Sequence, residues 1–296
     1  MNRKALVFGA AGQLGAELVR ELSQRNYELR TYAREQVDIT ESAAVELAIA
    51  GFEPDIVFNA AAYNQVDVAE QEPQAACLVN ALAVRNIAAA CRQADARLVH
   101  FSTDYVFDGA AKRPYTEEDP THPLGAYAVS KLAGELYARA YLERAVIIRT
   151  SGVFGIGALA TARGNFLELM LRLAHAEQTI RVVEDHIASP TFAPLLAERT
   201  LDLVEQGGAG VFHIGGGTPI SWFDFARTIF ELAGISPRLV ATNEREYRTP
   251  ARRPRYSALS NGKIEAMGLP AMPPLRDALA QYLQLRRRTQ QVARKS

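Results

Sequence analysis

Tyr127-Ala-Val-Ser-Lys131 places a phenol and an ammonium four residues apart. On a helix such positions share one face, so both groups can point into one cleft. A free phenol, with a pKa of about 10, is a poor proton donor at neutral pH. A cation about 4 Å away, at an effective dielectric of about 20, is worth about 4 kcal/mol, equivalent to about 3 pKa units. That brings the phenol toward the range where it can work as a general acid. Taken alone, the spacing also describes an ordinary surface helix pair.

A second constellation is Gly9-Ala-Ala-Gly12-Gln-Leu-Gly15, which follows a short apolar run and opens a helical one. Glycines there allow a tight turn and a close approach of backbone to a pyrophosphate, and the helix N-terminus supplies unpaired N–H groups. A plain strand-to-helix turn would use glycines too, but this position in the chain favours dinucleotide binding. Gly9, Gly12, Gln13, Leu14 and Gly15 are therefore candidate cofactor residues. After the second strand come Tyr32-Ala33-Arg34-Glu35. An arginine there suits a ribose 2′-phosphate, whereas a carboxylate suits the 2′-hydroxyl. Arg34 either points to NADPH, with NADH as the alternative, or is an ordinary solvated turn residue.

The elements that must hold these groups alternate. Short apolar runs at Lys4–Phe8, Tyr27–Tyr32, Asp55–Phe58, Arg97–Phe101 and Ala145–Arg149 read as strands. Between them, Gln13–Arg25, Glu41–Ala50, Gln74–Gln93 and Ala126–Tyr141 carry helical spacing. Repeated strand–helix units with nearly all-apolar strands predict a parallel sheet covered on both faces. Beyond Thr150, strands are expected at Ile180–Val183 and Val211–Ile214. Helices are expected at Asn165–His175, Phe192–Glu205, Ser221–Ala233 and Leu275–Arg287. The fold class is α/β: a Rossmann-type, doubly wound parallel sheet over residues 1–150, to which about 185–214 return. A smaller, mostly C-terminal substrate-binding lobe would be built from 151–184 and 215–296.

The chain has 296 residues, 48% hydrophobic, with 33 basic and 33 acidic side chains and a net charge of zero. That balance argues against a nucleic-acid partner. The basic tail, Arg286 to Arg288 with Arg294 and Lys295, reads as a solvated, fraying C-terminus. Cys77 and Cys91 fall in helical stretches and read as buried thiols rather than a disulfide framework. No ligand cluster for a metal is evident. No apolar run is read as long enough to span a bilayer, and the N-terminus enters a strand directly. A soluble cytoplasmic protein is expected, with a homodimer as the usual oligomeric prior.

Ahead of the Tyr–Lys pair lies Ser102-Thr103-Asp104-Tyr105-Val-Phe107, at the end of a strand. The chain also carries Gln13-Leu14-Gly15, Asn59-Ala-Ala-Ala62 running into Val66-Asp67-Val68-Ala69-Glu70, Arg149-Thr150-Ser151, Gly164-Asn165-Phe166, Ser189-Pro190-Thr191, Ser221-Trp222 and Ala251-Arg252-Arg253-Pro254. In this order the segments resemble the dTDP-4-dehydrorhamnose reductase family of extended short-chain dehydrogenases, over Lys4 to about Leu283. The resemblance implies NADPH-dependent reduction of the C4 ketone of a dTDP-linked 6-deoxy-4-keto hexose. It implies that Tyr127 donates the proton, Lys131 holds the nicotinamide ribose and Thr103 orients the carbonyl. It places Asp38, Ile39, Ala60, Ala61, Ala62, Tyr63 and Phe101 beside the cofactor with Tyr127 and Lys131. It places Thr103, Asp104, Gly152, Asn165, His186 and Arg253 on the substrate side. Arg253, or Arg252 in its stead, suits a pyrophosphate.

Two departures bear on the sugar. The family has tryptophan after Arg-Thr-Ser, where this chain has Gly152. It has Asp-Gln and a Gly before Ser-Pro-Thr, where this chain has Asp185-His186-Ile187-Ala188. Glycine leaves either a wider pocket or a gap filled by a neighbour, for which Phe154 and His186 are the candidates. His186 reads either as a hydrogen-bonding group for the substrate or as a satisfied loop histidine. Rival readings are a nucleotide-sugar 4,6-dehydratase or epimerase, and a non-catalytic cofactor-binding subunit of the same fold. The dehydratases carry Thr-Asp-Glu where this chain has Thr103-Asp104-Tyr105, and intact Thr103, Tyr127 and Lys131 favour an enzyme.

Overall fold

The structure, a computed structural model, describes residues 3–160, 164–176 and 178–293. Six parallel strands form the main sheet: β1 (Lys4–Phe8), β2 (Glu28–Tyr32), β3 (Ile56–Asn59), β4 (Arg97–Thr103), β5 (Val146–Thr150) and, later in the chain, β8 (Gly210–His213). Their spatial order is β2-β1-β3-β4-β5-β8. The two-sided apolarity of the strands has its expected cause. Along β1, Ala5 and Val7 pack with Leu18 and Leu22 of α1 (Gln13–Gln24) and with Leu196 and Leu201 of α7 (Ala193–Glu205). Leu6 and Phe8 face the other way, onto Val45 and Ile49 of α2 (Ser42–Ala50) and Val84 and Ile87 of α4 (Ala83–Gln93). Each large apolar side chain so buried contributes about 1.5–3 kcal/mol.

The chain winds outward from β1 to β2, then crosses back to lay β3 on the other side of β1. The carboxyl ends of β1 and β3 therefore flank the point where strand order reverses, the ordinary ligand crevice of such sheets.

A second core lies beside the sheet. Here α6 (Phe166–His175), α8 (Trp222–Ala233) and α10 (Leu275–Ala293) enclose Leu167, Phe225, Phe230, Leu279 and Tyr282, together with Phe154 and Phe192. Two small sheets complete it. β6 (Ile180–Val183) pairs in parallel with β10 (Leu239–Thr242), and β7 (Ile187–Ala188) pairs antiparallel with β9 (Ile220–Ser221). A short α9 (Gly262–Ala266) precedes α10.

The helix expected over Gln74–Gln93 is divided. It runs as α3 (Pro73–Cys77), a π-turn at Leu78–Leu82 and then α4. The wide turn serves Asn80, whose side chain accepts from the Tyr63 N–H at 2.9 Å and donates to the Tyr63 carbonyl and to the Ser130 hydroxyl. Such bulges gather at functional sites. The stretch Pro73–Gln93 is also, by length and composition alone, apolar enough to cross a membrane, contrary to the sequence reading; half of it is buried inside the protein. Cys91 is buried and Cys77 only partly so. At the C-terminus, Arg286 is not a fraying cation but pairs with Glu168 at 2.7 Å; Arg294 and Lys295 lie outside the described residues.

Candidate active site

A cleft of about 1510 Å³ runs between the sheet's carboxyl edge and the second core. Its floor starts at the β1 turn. Gly9 has φ +75°, and a Cβ there would come within 2.6 Å of the Ala61 amide nitrogen, so the β1 and β3 turns touch only because position 9 is glycine. Gly12 is the N-cap of α1 and has no side chain to cap the first turn, leaving the helix amides open toward the cleft. These residues, with Leu14, Ala60, Ala61, Ala62 and Tyr63, line the cleft. Gly15 does not: it is buried beneath the turn, where a Cβ would strike the Gly9 backbone. Its part is helix-to-strand packing rather than cofactor contact.

At the far end of this floor Arg34 is 83% exposed and 3.6 Å from Asp38. The Asp38 carboxylate accepts from the Thr40 N–H and hydroxyl, bonds that together with Arg34 hold it below the usual carboxylate range. Ile39 is buried beside it.

Tyr127 and Lys131 both come from α5 (Ala126–Tyr141) and both line the cleft. The start of α5 is fixed from outside, because the Glu70 carboxylate accepts the Ala126 N–H at 2.8 Å. Three residues earlier, Asp67 accepts both terminal nitrogens of Arg253, at 3.0 and 2.7 Å. The acidic residues of Val66–Glu70 thus tie α5 and the Ala251–Pro254 segment to one loop.

Lys131 is 3% exposed, and its ammonium donates to the Phe101 carbonyl at 2.6 Å. Burial lowers its pKa to about 8, against an opposing pull from Glu135. Glu135, one turn on, makes a buried ion pair with Arg149 of β5 at 2.8 Å and accepts the Ser102 hydroxyl of β4 at 2.5 Å. This pair clamps α5 across two strands beneath the cleft. The sequence signal for it was an arginine inside an otherwise apolar strand.

At the end of β4, Thr103 lines the cleft as expected. Its Oγ1 donates to Asp104 Oδ1 at 3.2 Å and accepts from the Tyr105 N–H. Asp104 is 3% exposed, and Oδ2 also accepts from the Ser151 and Ser257 hydroxyls at 2.8 and 2.5 Å. Burial raises its pKa to about 6, while these hydroxyls pull the other way. Its oxygens are thus occupied by hydroxyls of the protein, and Asp104, which also lines the cleft, holds Thr103 in place.

Three other expected residues line the cleft and are also held by the protein. Gln13 donates to the Val153 carbonyl at 2.8 Å, and its Oε1 accepts from the Gly155 N–H and from Asn165 Nδ2. Asn165 is used up in the same contact and in capping α6 through the Glu168 N–H. Arg253 is held by Asp67, as above. Of the arginines that line the cleft, those with no carboxylate partner among the described residues are Arg245, Arg248 and Arg252, all exposed. Arginine density around Thr249–Tyr256 was the signal for them.

Gly152 has φ +50°, and the residues bordering its side-chain space are Trp222 and Pro190, not Phe154 or His186. Phe154 is 1% exposed and stacked on Phe192 in the second core. His186 is 7% exposed, burial lowers its pKa, and its Nε2 has no partner among the described residues. One of its ring nitrogens lies within 4.8 Å of carboxylate oxygens of Asp185 and Glu244, a proximity the sequence did not reveal. Both carboxylates are engaged, Asp185 by the Glu244 N–H and Glu244 by Arg255 at 2.7 Å.

Residues 3–288 match the family described as RmlD substrate binding domain. The chain is 39% identical over 283 residues to the spore coat polysaccharide biosynthesis protein SpsK of Bacillus subtilis, covering 96% of this chain and 98% of that one. It is 38% identical over 288 residues to a dTDP-4-dehydrorhamnose reductase of Mycobacterium tuberculosis, covering 95% and 93%. Among solved structures, dTDP-4-dehydrorhamnose reductase from Bacillus anthracis in complex with NADP superposes with a TM-score of 0.91 at 32% identity, covering 96% of this chain and 99% of that one.

Proposed function

Because the chain belongs to the RmlD substrate-binding-domain family, we propose that it reduces the C4 ketone of a dTDP-linked 6-deoxy-4-keto hexose with NADPH, converting dTDP-4-dehydro-L-rhamnose to dTDP-L-rhamnose. The observation that carries this reading is the buried, partly satisfied Lys131 ammonium sharing one cleft with Tyr127 and Thr103. The relatives named as reductases of dTDP-sugars support it.

The cleft fits the cofactor. The uncapped start of α1 offers amides to a pyrophosphate, and the exposed Arg34 offers a guanidinium to a 2′-phosphate. When bound, the nicotinamide supplies hydride to the ketone carbon. Lys131 spends one N–H on the Phe101 carbonyl and keeps two for ribose hydroxyls. Tyr127 delivers the proton to the oxygen of the reduced carbon. Thr103, steadied by Asp104 and the Tyr105 amide, orients the ketone oxygen. Arg245, Arg248 and Arg252 supply the charge that a diphosphate needs. A dehydratase would need a base at position 105. Burial pushes the Tyr105 phenol up, so it stays protonated and cannot take that part.

Purified protein given NADPH and dTDP-4-dehydro-L-rhamnose should consume NADPH and yield dTDP-L-rhamnose, with the configuration at C4 read by NMR. No NADPH consumption with any thymidine-linked 4-keto hexose would defeat the reading. A homodimer and a cytoplasmic location complete the proposal, checked by light scattering and cell fractionation.

A further inference from the structure

Trp222 is the one tryptophan of the chain; it opens α8 and borders the cleft. Its ring tip, Cη2, stands against the place where a side chain at position 152 would begin. A Cβ added to Gly152 would lie 3.2 Å from that carbon and 3.3 Å from Pro190 Cα. Position 152 also has φ +50°, where side chains are rarely accommodated. A large residue at 152 and the indole in its present place therefore exclude each other.

The ring is braced from behind. Phe166 meets it at 4.7 Å between centroids and Phe225 at 5.9 Å. The Ser221 hydroxyl caps α8 by accepting the Asp224 N–H, and the Trp222 backbone N–H donates to the His186 carbonyl at 3.1 Å. The indole N–H has no acceptor among the described residues. Tryptophans of this kind ordinarily pair that group, so a donor stands ready at the edge of the cleft. Gly152 follows Ser151, whose hydroxyl holds Asp104, which in turn holds Thr103. The indole tip is thus one residue removed from the clamp on the carbonyl-orienting threonine.

We propose that Trp222 is the apolar wall on which the hexose ring of the substrate packs, and that it sets selectivity for a 6-deoxy sugar. This rests on the reading of the protein as a nucleotide-sugar reductase. A 6-deoxy hexose turns a methyl group and C–H bonds toward an indole at no polar cost. A 6-hydroxy hexose has to bury a hydroxyl against the same ring, and an unpaired buried hydroxyl is expensive.

The sole tryptophan makes this directly readable. In the presence of NADP⁺, dTDP-L-rhamnose should shift the protein's tryptophan emission, while dTDP without the hexose should leave it nearly unchanged. Equal responses to the two, or none to dTDP-L-rhamnose, overturn the proposal. In turnover, Trp222→Phe and Trp222→Ala should raise KM for the 6-deoxy-4-keto sugar, by about tenfold for alanine. They should narrow its advantage over a 6-hydroxy-4-keto sugar and leave NADPH affinity unaltered. Gly152→Ala, which presses on the ring tip, should act in the same direction. Unchanged selectivity in folded, active variants overturns the proposal. A wild-type protein that consumes no NADPH with any 4-keto hexose refutes the functional reading instead, and the emission contrast still decides the place of Trp222.

Discussion

The Gln13 amide in the first strand-to-helix turn and the Asn165 amide at the start of α6 are joined by a 2.9 Å hydrogen bond. With the Val153 and Gly155 contacts, it stitches the cofactor turn to the second core. Gln13→Ala leaves three partners unsatisfied, and each such loss costs about 1 kcal/mol. The variant should be less stable by about 1–3 kcal/mol in urea unfolding. Because Gln13 and Asn165 share a bond, the double variant with Asn165→Ala should lose less than the sum of the two single losses. Strict additivity would mean that the stitch carries no energy.

Tyr127→Phe keeps the ring and its edge-on contact with Tyr105 but removes the proton donor. Turnover should fall by about 10²–10⁴-fold, with NADPH affinity nearly unchanged by fluorescence titration. Near-normal turnover would remove Tyr127 from the mechanism.

Lys131 gives a pH signature of two opposite signs. Its folded pKa is about 8, lowered by burial from 10.5. The cation it contributes to the cleft is lost as pH rises through about 8, so kcat/KM, which reports the free enzyme, should decline above that point. Stability runs the other way. Between about 8 and 10.5 the unfolded chain holds a proton that the folded one has released, so this residue's contribution to unfolding free energy rises with pH, by roughly 3 kcal/mol at most. Lys131→Met should abolish both trends; their persistence would assign them to other groups.

Arg34→Ala should weaken NADPH far more than NADH, since only the former carries the 2′-phosphate. The side chain is exposed and its contact with Asp38 is loose, so folding should be unaffected. Equal losses of affinity would make Arg34 an ordinary surface residue.

Glu135→Gln leaves the Arg149 guanidinium charged and buried without its counter-ion, a change that costs about 3–5 kcal/mol. Thermal unfolding should show it, and cleft chemistry should suffer through the displaced α5. Glu135→Leu combined with Arg149→Met should recover much of the stability.

Most elements of the main sheet were legible because their pattern is local. The strands are apolar throughout, the helices keep one apolar stripe, and the glycine turn lies where a first strand meets a first helix. α5 and β6 begin and end where the periodicity puts them. The π-turn at Leu78–Leu82 was not legible: its residues suit a helix, and only the distant demands of Tyr63 and Ser130 on Asn80 widen the turn. β10 was missed because it is short and pairs with β6 about sixty residues away. At the site, residue types were read correctly more often than their partners were. Gln13, Asn165, Asp104 and Arg253 carry chemistry suited to ligands and line the cleft, and each also bonds a part of the protein far away in sequence; which partner a side chain reaches is decided by tertiary packing.

The Asp67–Arg253 pair has a consequence for how charge enters the cleft. A guanidinium already neutralised in bidentate fashion cannot attract an anion at long range. It can only trade one anion for another once that anion has arrived. Arg245, Arg248 and Arg252, exposed and without a carboxylate partner among the described residues, are the long-range attractors, and their influence fades within about 8 Å at physiological salt. Under the proposed function, capture of a diphosphate falls to the exposed three and its recognition to Arg253. Added salt should slow capture by the exposed three, whereas Asp67→Asn, by releasing Arg253 from its resident anion, should tighten the grip on an arrived diphosphate without hastening its arrival.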